Sequence, residues 1–327
     1  MKNSINKLNK NRKEDYYKDP REENFIQQVN ENLLELEHSL YRDVEIEYPF
    51  IFIFGLPRSG TTLMSQVLAH CLDTGFINNF MARFWLTPVC GIRLANSMLK
   101  GEKFRAFQSD YGATNDLLDI HEFGYFWRKW MKKDTFEAIR DAKKLESTID
   151  WQDLKRVLTN MQHEFGKSMV FKNILGSYHL PKMKETLGKV LFVYIERDPL
   201  DVAVSILKAR KKYYHDLNTW WSYAPPEVLE LTEKDYWHQI AGQIHYLNKF
   251  YYQEMDKMDE SFVIRVKYDD LCQNPASVLD EVRKRCKSLY QSDPGLAQNP
   301  PTQFPVRTHD DQPEIKAKFK KILKEFE

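Results

Sequence analysis

Residues 55–63, GLPRSGTTL, directly follow the apolar run YPFIFIF and combine two glycines with three hydroxyl side chains and one arginine. Gly55 and Gly60 occupy the glycine positions of the phosphate loop G-x-x-x-x-G-K-[ST]. Thr61 stands where that loop carries the lysine that reaches the β- and γ-phosphates. Phosphate chemistry survives the loss. Gly60 and the residues after it offer backbone N–H groups at the positive end of a helix. Ser59, Thr61 and Thr62 add hydroxyls, and Arg58 supplies a permanent charge on a planar fork. Beside the loop, the strand that ends in Glu196 continues into Arg197, whose charge opposes a metal ion. The pattern therefore suits a ligand with a 5'-phosphate but no triphosphate, and no metal is expected.

A second stretch, ERDPLDVAVS at 196–205, places an arginine at the end of a buried strand, Asp-Pro at a helix start, and a serine further along. Arg197 and Ser205 would then lie near one helix N-terminus and form a second anion site on the same sheet edge. Two such sites on one edge point to a ligand with two separated phosphates.

The elements that must hold these groups are legible in the periodicity. PFIFIF (49–54) is continuously apolar, as a central parallel strand buried on both faces requires. Leu63, Val67, Leu68 and Leu72 form one helical stripe after it, so the loop lies between a strand and a helix. Further strands are expected at 169–171, 189–195 and 261–267, with the clearest following helices at 200–211 and 276–289. Strands alternating with helices predict an α/β fold of the phosphate-loop type, a three-layer sandwich around a central parallel sheet. Residues 80–160 show helical and aromatic patterns without a clear strand and predict a helical insertion over the active edge. FIQQVNENLLELEHSL (25–40) carries Ile26, Val29, Leu33, Leu36 and Leu40 on one face, the pattern of an amphipathic helix. The expected layout is a flexible segment 1–24 and a single domain 25–327. A Pro-rich loop at 293–305 precedes a lysine-rich terminal helix. Lys208, Arg210, Lys211 and Lys212 are expected to solvate a helix end.

Composition narrows the function. The chain has 327 residues, and its 48 basic and 47 acidic side chains nearly cancel, so no global field favours nucleic acid. Cys71, Cys90, Cys272 and Cys286 lack metal or disulfide-scaffold spacing. The first 24 residues contain no apolar core of a signal peptide, and no later run approaches transmembrane length. A cytoplasmic protein is the expectation.

With GLPRSGTT, RDPLDVAVS, FKNILGSYHLP (171–181) and VKYDDLCQNP (266–275) in this order, the sequence resembles sulfotransferases that use 3'-phosphoadenosine 5'-phosphosulfate (PAPS). The resemblance covers roughly residues 50–290. It implies that Arg58, Ser59, Gly60, Thr61 and Thr62 hold the 5'-phosphosulfate, and that Arg197 and Ser205 hold the 3'-phosphate. It further implies that Tyr268 lies near the adenine, that Lys172 steadies charge on the departing phosphate or the transferring group, and that the product is adenosine 3',5'-bisphosphate (PAP). The implied acceptor is a hydroxyl on a small molecule or glycan, with a carbohydrate or glycolipid preferred for a lid that mixes aromatics with charges.

The general base is where the resemblance thins. Ile174 stands where cytosolic small-molecule sulfotransferases carry a histidine, and Asn78 and Asn79 stand where other branches place a glutamate. The remaining candidates are, in order, His121, Glu122 and His179. Trp85, Tyr125, Phe126, Trp127 and Trp130 could stack on an acceptor or belong to the core. Two alternatives stay open: a module that binds PAP or PAPS without catalysis, and a kinase of the same fold.

Overall fold

The computed structural model describes residues 9, 11–100, 107, 116–173 and 175–326. Parts of the expected N-terminal segment (1–8 and 10), parts of the expected insertion (101–106 and 108–115) and Ile174 lie outside the described residues.

Five parallel strands, β1 (Phe50–Gly55), β2 (Gly75–Phe76), β3 (Met169–Lys172), β4 (Val190–Glu196) and β5 (Val263–Lys267), form one sheet in the order β2-β3-β1-β4-β5. β1 shows why the run PFIFIF reads as a central strand. Phe50, Phe52 and Phe54 enter one core, while Ile51 and Ile53 enter the other. Phe52 stacks on its register partners Phe171 and Phe192 at 5.6 and 5.9 Å. Burying each such ring contributes on the order of 1.5–3 kcal/mol.

The main helices, in chain order, are α1 (Pro20–Asn32), α2 (Leu34–Leu40), α3 (Thr61–Cys71), α4 (Pro88–Met98), α5 (Gly124–Met131), α6 (Trp151–Phe165), α7 (Leu180–Leu187), α8 (Pro199–Tyr213), α9 (Tyr236–Met255), α10 (Tyr268–Gln273), α11 (Pro275–Tyr290) and α12 (Pro313–Leu323). α3, α10 and α11 cover the isoleucine face, and the other core draws on α4 to α9, giving three layers. From β1 the chain goes to β2 and β3 on one side, then crosses to β4 and β5 on the other. The carboxyl end of β1 is thus the switch point, where such sheets bind ligands. Among the described residues no helix is long and apolar enough to cross a membrane, and all four cysteines are buried and free.

Several local expectations change. The helix expected over 25–40 begins at Pro20, where Asp19 caps the Arg21 N–H, and breaks at Leu33. Leu36, expected on the apolar stripe, is 51% exposed, whereas Glu37 is fully buried. The reason is distant in sequence: the Glu37 carboxylate accepts the Val89 and Cys90 N–H groups at 3.0 and 2.9 Å, at the N-terminus of α4. Glu37→Ala should therefore lower stability by about 3 kcal/mol, because two buried N–H groups lose their acceptor. Urea unfolding measures this, and an unchanged midpoint would contradict it. Arg210 does not belong to a solvated patch. It is fully buried, donating to Leu217 O at 3.0 Å and Gln239 Oε1 at 2.7 Å. Residue 12 bridges Tyr214, and the Lys13 N–H donates to Tyr213 O at 2.9 Å, so this stretch runs against the end of α8.

Candidate functional site

The turn after β1 takes its shape from backbone that few side chains tolerate. Gly60 has φ 107°, and a Cβ there would lie 2.5 Å from Tyr268 Cδ2. Glycine is needed twice over, for its conformation and for the close approach of the tyrosine. Arg58, at φ 69°, also adopts the left-handed region. α3 starts at Thr61 with no side-chain cap and no acidic residue in its first turn. Its leading N–H groups consequently lack intrahelical acceptors. Ser59 is fully buried, and its Oγ has no hydrogen-bond partner among the described residues.

The strands flanking β1 deliver one cation each to this loop. Lys172, the last residue of β3, is 5% exposed at its side chain and donates to Thr62 Oγ1 at 2.7 Å. Its ammonium also pairs with Glu122. On the other side, Arg197 follows β4 and donates from Nη1 to Arg58 O at 2.7 Å, its guanidinium 4.3 Å from the centre of the Tyr268 ring. Its Nε is buried without a partner among the described residues. Arg58 Nε donates to Ser205 Oγ at 3.1 Å, which joins the two expected anion sites into one constellation.

RDP folds as its spacing predicts, with one difference. Asp198 caps α8 by accepting the Leu200 and Asp201 N–H groups at 2.8 and 3.0 Å. The amides at this helix start are therefore satisfied internally, and the positive character of the second site comes from arginine side chains. A cavity of about 340 Å³, lined in part by Leu56, Arg197, Tyr252, Lys267 and Tyr268, opens beside it. Another of about 360 Å³, at the β2 edge between Phe76, Asn96 and Phe165, touches none of the expected site residues.

The segment before α5 supplies the candidate bases. Glu122 is 45% exposed at its side chain and faces Lys172. Partial desolvation by the neighbouring protein works to raise its carboxyl, but the Lys172 ammonium outweighs this and holds it below the ordinary value. His121 is pushed down, first by desolvation from the protein around its ring and then by Lys172, Lys18 and Arg83, with Glu122 opposing. His121 Nδ1 accepts the Phe123 N–H at 2.8 Å. The neutral ring then carries its proton on Nε2, so neither nitrogen offers a free lone pair. His179 is fully buried, bonds Glu146 at 2.7 Å and packs edge-on against Trp151. None of these partners belongs to the loop.

Asn78 and Asn79 have structural roles: Asn78 Oδ1 accepts the Met81 N–H at 2.8 Å, and Asn79 Nδ2 donates to Asp116 O at 2.7 Å. Trp85, Phe126 and Trp127 are buried core residues, with Trp127 against Phe171 at 5.4 Å. Tyr125 and Trp130 remain partly exposed, with Lys18 and Lys129 over their rings at 4.4 and 5.3 Å.

Three contributors carry no motif. The Tyr223 hydroxyl donates to Gly55 O, across 168 positions of chain. Arg307 O accepts from Arg197 Nη2, and the Arg307 N–H donates to the Tyr268 hydroxyl at 3.4 Å, so the C-terminal segment borders the expected second anion site. Asp119 bonds side chains of α3 from the segment that bears Glu122. Each depends on contacts between segments far apart in sequence.

A family model described as "Sulfotransferase family" matches residues 49–291. A search of curated proteins finds no match. Among solved structures, sulfotransferase STF9 from Mycobacterium avium aligns over 91% of this chain and 72% of its own, at 15% identity and TM-score 0.52. Sulfotransferase STF1 from Mycobacterium tuberculosis H37Rv aligns over 89% of this chain and 75% of its own, at 13% identity and TM-score 0.47. The likeness to STF9 is one of fold.

Proposed function

We propose that this chain, which belongs to the sulfotransferase family, moves a sulfuryl group from PAPS to a hydroxyl of a carbohydrate or glycolipid. The observation that carries the reading is the placement of Lys172, which touches Thr62 of the phosphate loop and Glu122 of the insertion at once. One cation thus joins the anion-binding groups to a carboxylate able to take a proton.

The residues fit such a donor. The uncapped start of α3 and the orphaned Ser59 Oγ are unused donors at the loop, and the orphaned Arg197 Nε is another at the second site. We assign Arg58, Ser59, Gly60, Thr61 and Thr62 to the 5'-phosphosulfate, Arg197 and Ser205 to the 3'-phosphate, and Tyr268 to the side of the adenine. PAPS, when bound, supplies an activated sulfuryl group. Glu122 takes the proton of the acceptor hydroxyl, whose oxygen bonds sulfur as the bond from sulfur to the 5'-phosphate oxygen breaks. Lys172 meets the charge that collects on that oxygen, and the electron pair leaves with PAP. His121, its Nδ1 committed to the Phe123 N–H, orients the segment. Tyr125 with Lys18, and Trp130 with Lys129, pair ring faces with cations, which supports an acceptor that is both polar and stackable. The four free, buried cysteines support a reducing, cytoplasmic setting.

Incubation with ³⁵S-labelled PAPS and a panel of sugar, glycolipid, phenol and sterol hydroxyls tests the reading. Transfer to a sugar hydroxyl is expected. Tight PAP binding without transfer to any acceptor would favour a binding module, and transfer from ATP would favour a kinase.

The 3'-phosphate assignment has its own expected result. Arg197→Ala weakens PAP binding by on the order of 100-fold, since a charge-assisted pair contributes about 1.5–3 kcal/mol. Binding of adenosine 5'-monophosphate should change far less. Calorimetric titration of both nucleotides decides it, and equal losses would remove Arg197 from the 3'-phosphate.

A further inference from the structure

The residue that best explains how Glu122 is held in place is Asp119. It is 1% exposed, with no lysine or arginine among its hydrogen-bond partners in the described residues. Its Oδ2 accepts from Gln66 Nε2 at 2.6 Å, and its Oδ1 accepts the Ile120 N–H at 2.8 Å and lies 3.1 Å from His70 Nε2. Gln66 and His70 are on α3, the helix into which the phosphate loop leads. The backbone on either side is pinned as well: Asp119 O accepts the Asn79 N–H at 3.0 Å, and the His121 N–H donates to Ile77 O at 2.8 Å. Three residues after Asp119, Glu122 reaches Lys172.

We propose that Asp119 is a positioning residue that fixes Glu122 relative to the phosphate loop by clamping the 119–122 segment to α3. The inference rests on the sulfotransferase reading given above. A carboxylate suits the task because its two oxygens serve several donors from two directions at once, which one hydroxyl or one carbonyl cannot do. Burial strengthens these bonds electrostatically and makes each of them costly to leave unmade. The phosphate loop and the base would then move as one body, so that the sulfur and the acceptor proton are presented in register. A misplacement of about 1 Å at such a site lowers rate by on the order of 100-fold.

Asp119→Ala and Asp119→Asn test the clamp in the full-length protein. Asp119→Ala should lower kcat by about 30- to 100-fold while PAP affinity stays within about twofold, because the loop's own donors remain. The acid limb of the kcat profile should rise in pH, since a Glu122 drawn away from Lys172 loses the cation that keeps it ionised. Asp119→Asn keeps the shape and one acceptor oxygen, and should recover most of the loss. Hydrogen exchange at the Ile120 and His121 amides gives a readout independent of catalysis, and should quicken at least tenfold in Asp119→Ala with exchange in β1 unchanged. If the Ala variant does not fold, Gln66→Leu, which removes the α3 donor to Asp119 Oδ2, takes its place, with the same upward move of the acid limb and faster Ile120 exchange expected. Unchanged exchange at Ile120, or a loss of PAP affinity in step with kcat, would overturn the clamp. Wild-type turnover in Glu122→Gln would instead overturn the base, leaving the clamp to be judged by exchange alone.

Discussion

Glu122→Gln lowers kcat by about 10³-fold and leaves PAP affinity within about twofold, the middle of the range that a positioned general base contributes. Glutamine preserves the shape, and its carbonyl can still accept from the Lys172 ammonium, so the local packing survives. It cannot take the acceptor's proton. The wild-type profile should hold its plateau below the ordinary carboxyl range, because Lys172 keeps Glu122 ionised against the partial desolvation that works to protonate it. The sign follows directly: the charged form is active, so turnover is lost only as pH falls through the lowered pKa. His121→Ala, by contrast, should reduce kcat by less than about tenfold, since Nδ1 is committed to the Phe123 N–H and the ring has no free lone pair to offer. Steady-state assays with the labelled donor compare the two variants. A large loss in His121→Ala beside a small one in Glu122→Gln would exchange their roles.

The parts of this site that the sequence reveals are those in which chemistry and structure are specified by neighbouring residues. β1 is visible because five consecutive apolar side chains bury both faces of a strand, and the turn after it because Gly60 must adopt a conformation that glycine tolerates best. RDP is visible because Asp198 and Pro199 cap and start a helix locally. The same logic fails for Leu36 and Glu37. Helical periodicity assigns burial by hydrophobicity, whereas here a carboxylate goes inside to satisfy N–H groups of a helix 52 positions away. β2 escapes because two residues have no periodicity to read. Arg210, Asp119 and Tyr223 escape for the reason that hid Glu37: a buried polar group is justified by partners from another segment, and only the fold says which segment arrives. The ranking of the candidate bases likewise turns on the partner that His121 Nδ1 finds two residues later, a detail of backbone geometry that composition does not carry.

Lys172→Ala lowers kcat by about 10²- to 10³-fold, the cost of removing one preorganised donor aimed at developing charge. The substitution acts through two routes with different pH signatures. The first is direct, since the 5'-phosphate oxygen gains charge as its bond to sulfur breaks and no longer meets an ammonium. That loss is independent of pH across the neutral range. The second passes through Glu122, which loses its largest ionising partner while its partial desolvation remains, so its pKa rises. Its protonated fraction then grows at a given pH, and the acid limb of the profile moves upward. Comparing kcat at pH 6 and pH 8 separates the two. A deficit that persists at pH 8 measures stabilisation of the leaving group, whereas one that vanishes there would reduce Lys172 to a keeper of Glu122's charge. Lys172→Arg should restore the acid limb, because its charge suffices to hold the carboxylate ionised. It should restore kcat only in part, because a planar fork cannot take the position of a compact ammonium between Thr62 and Glu122. Wild-type kcat in Lys172→Ala at both pH values would remove this residue from the chemistry altogether.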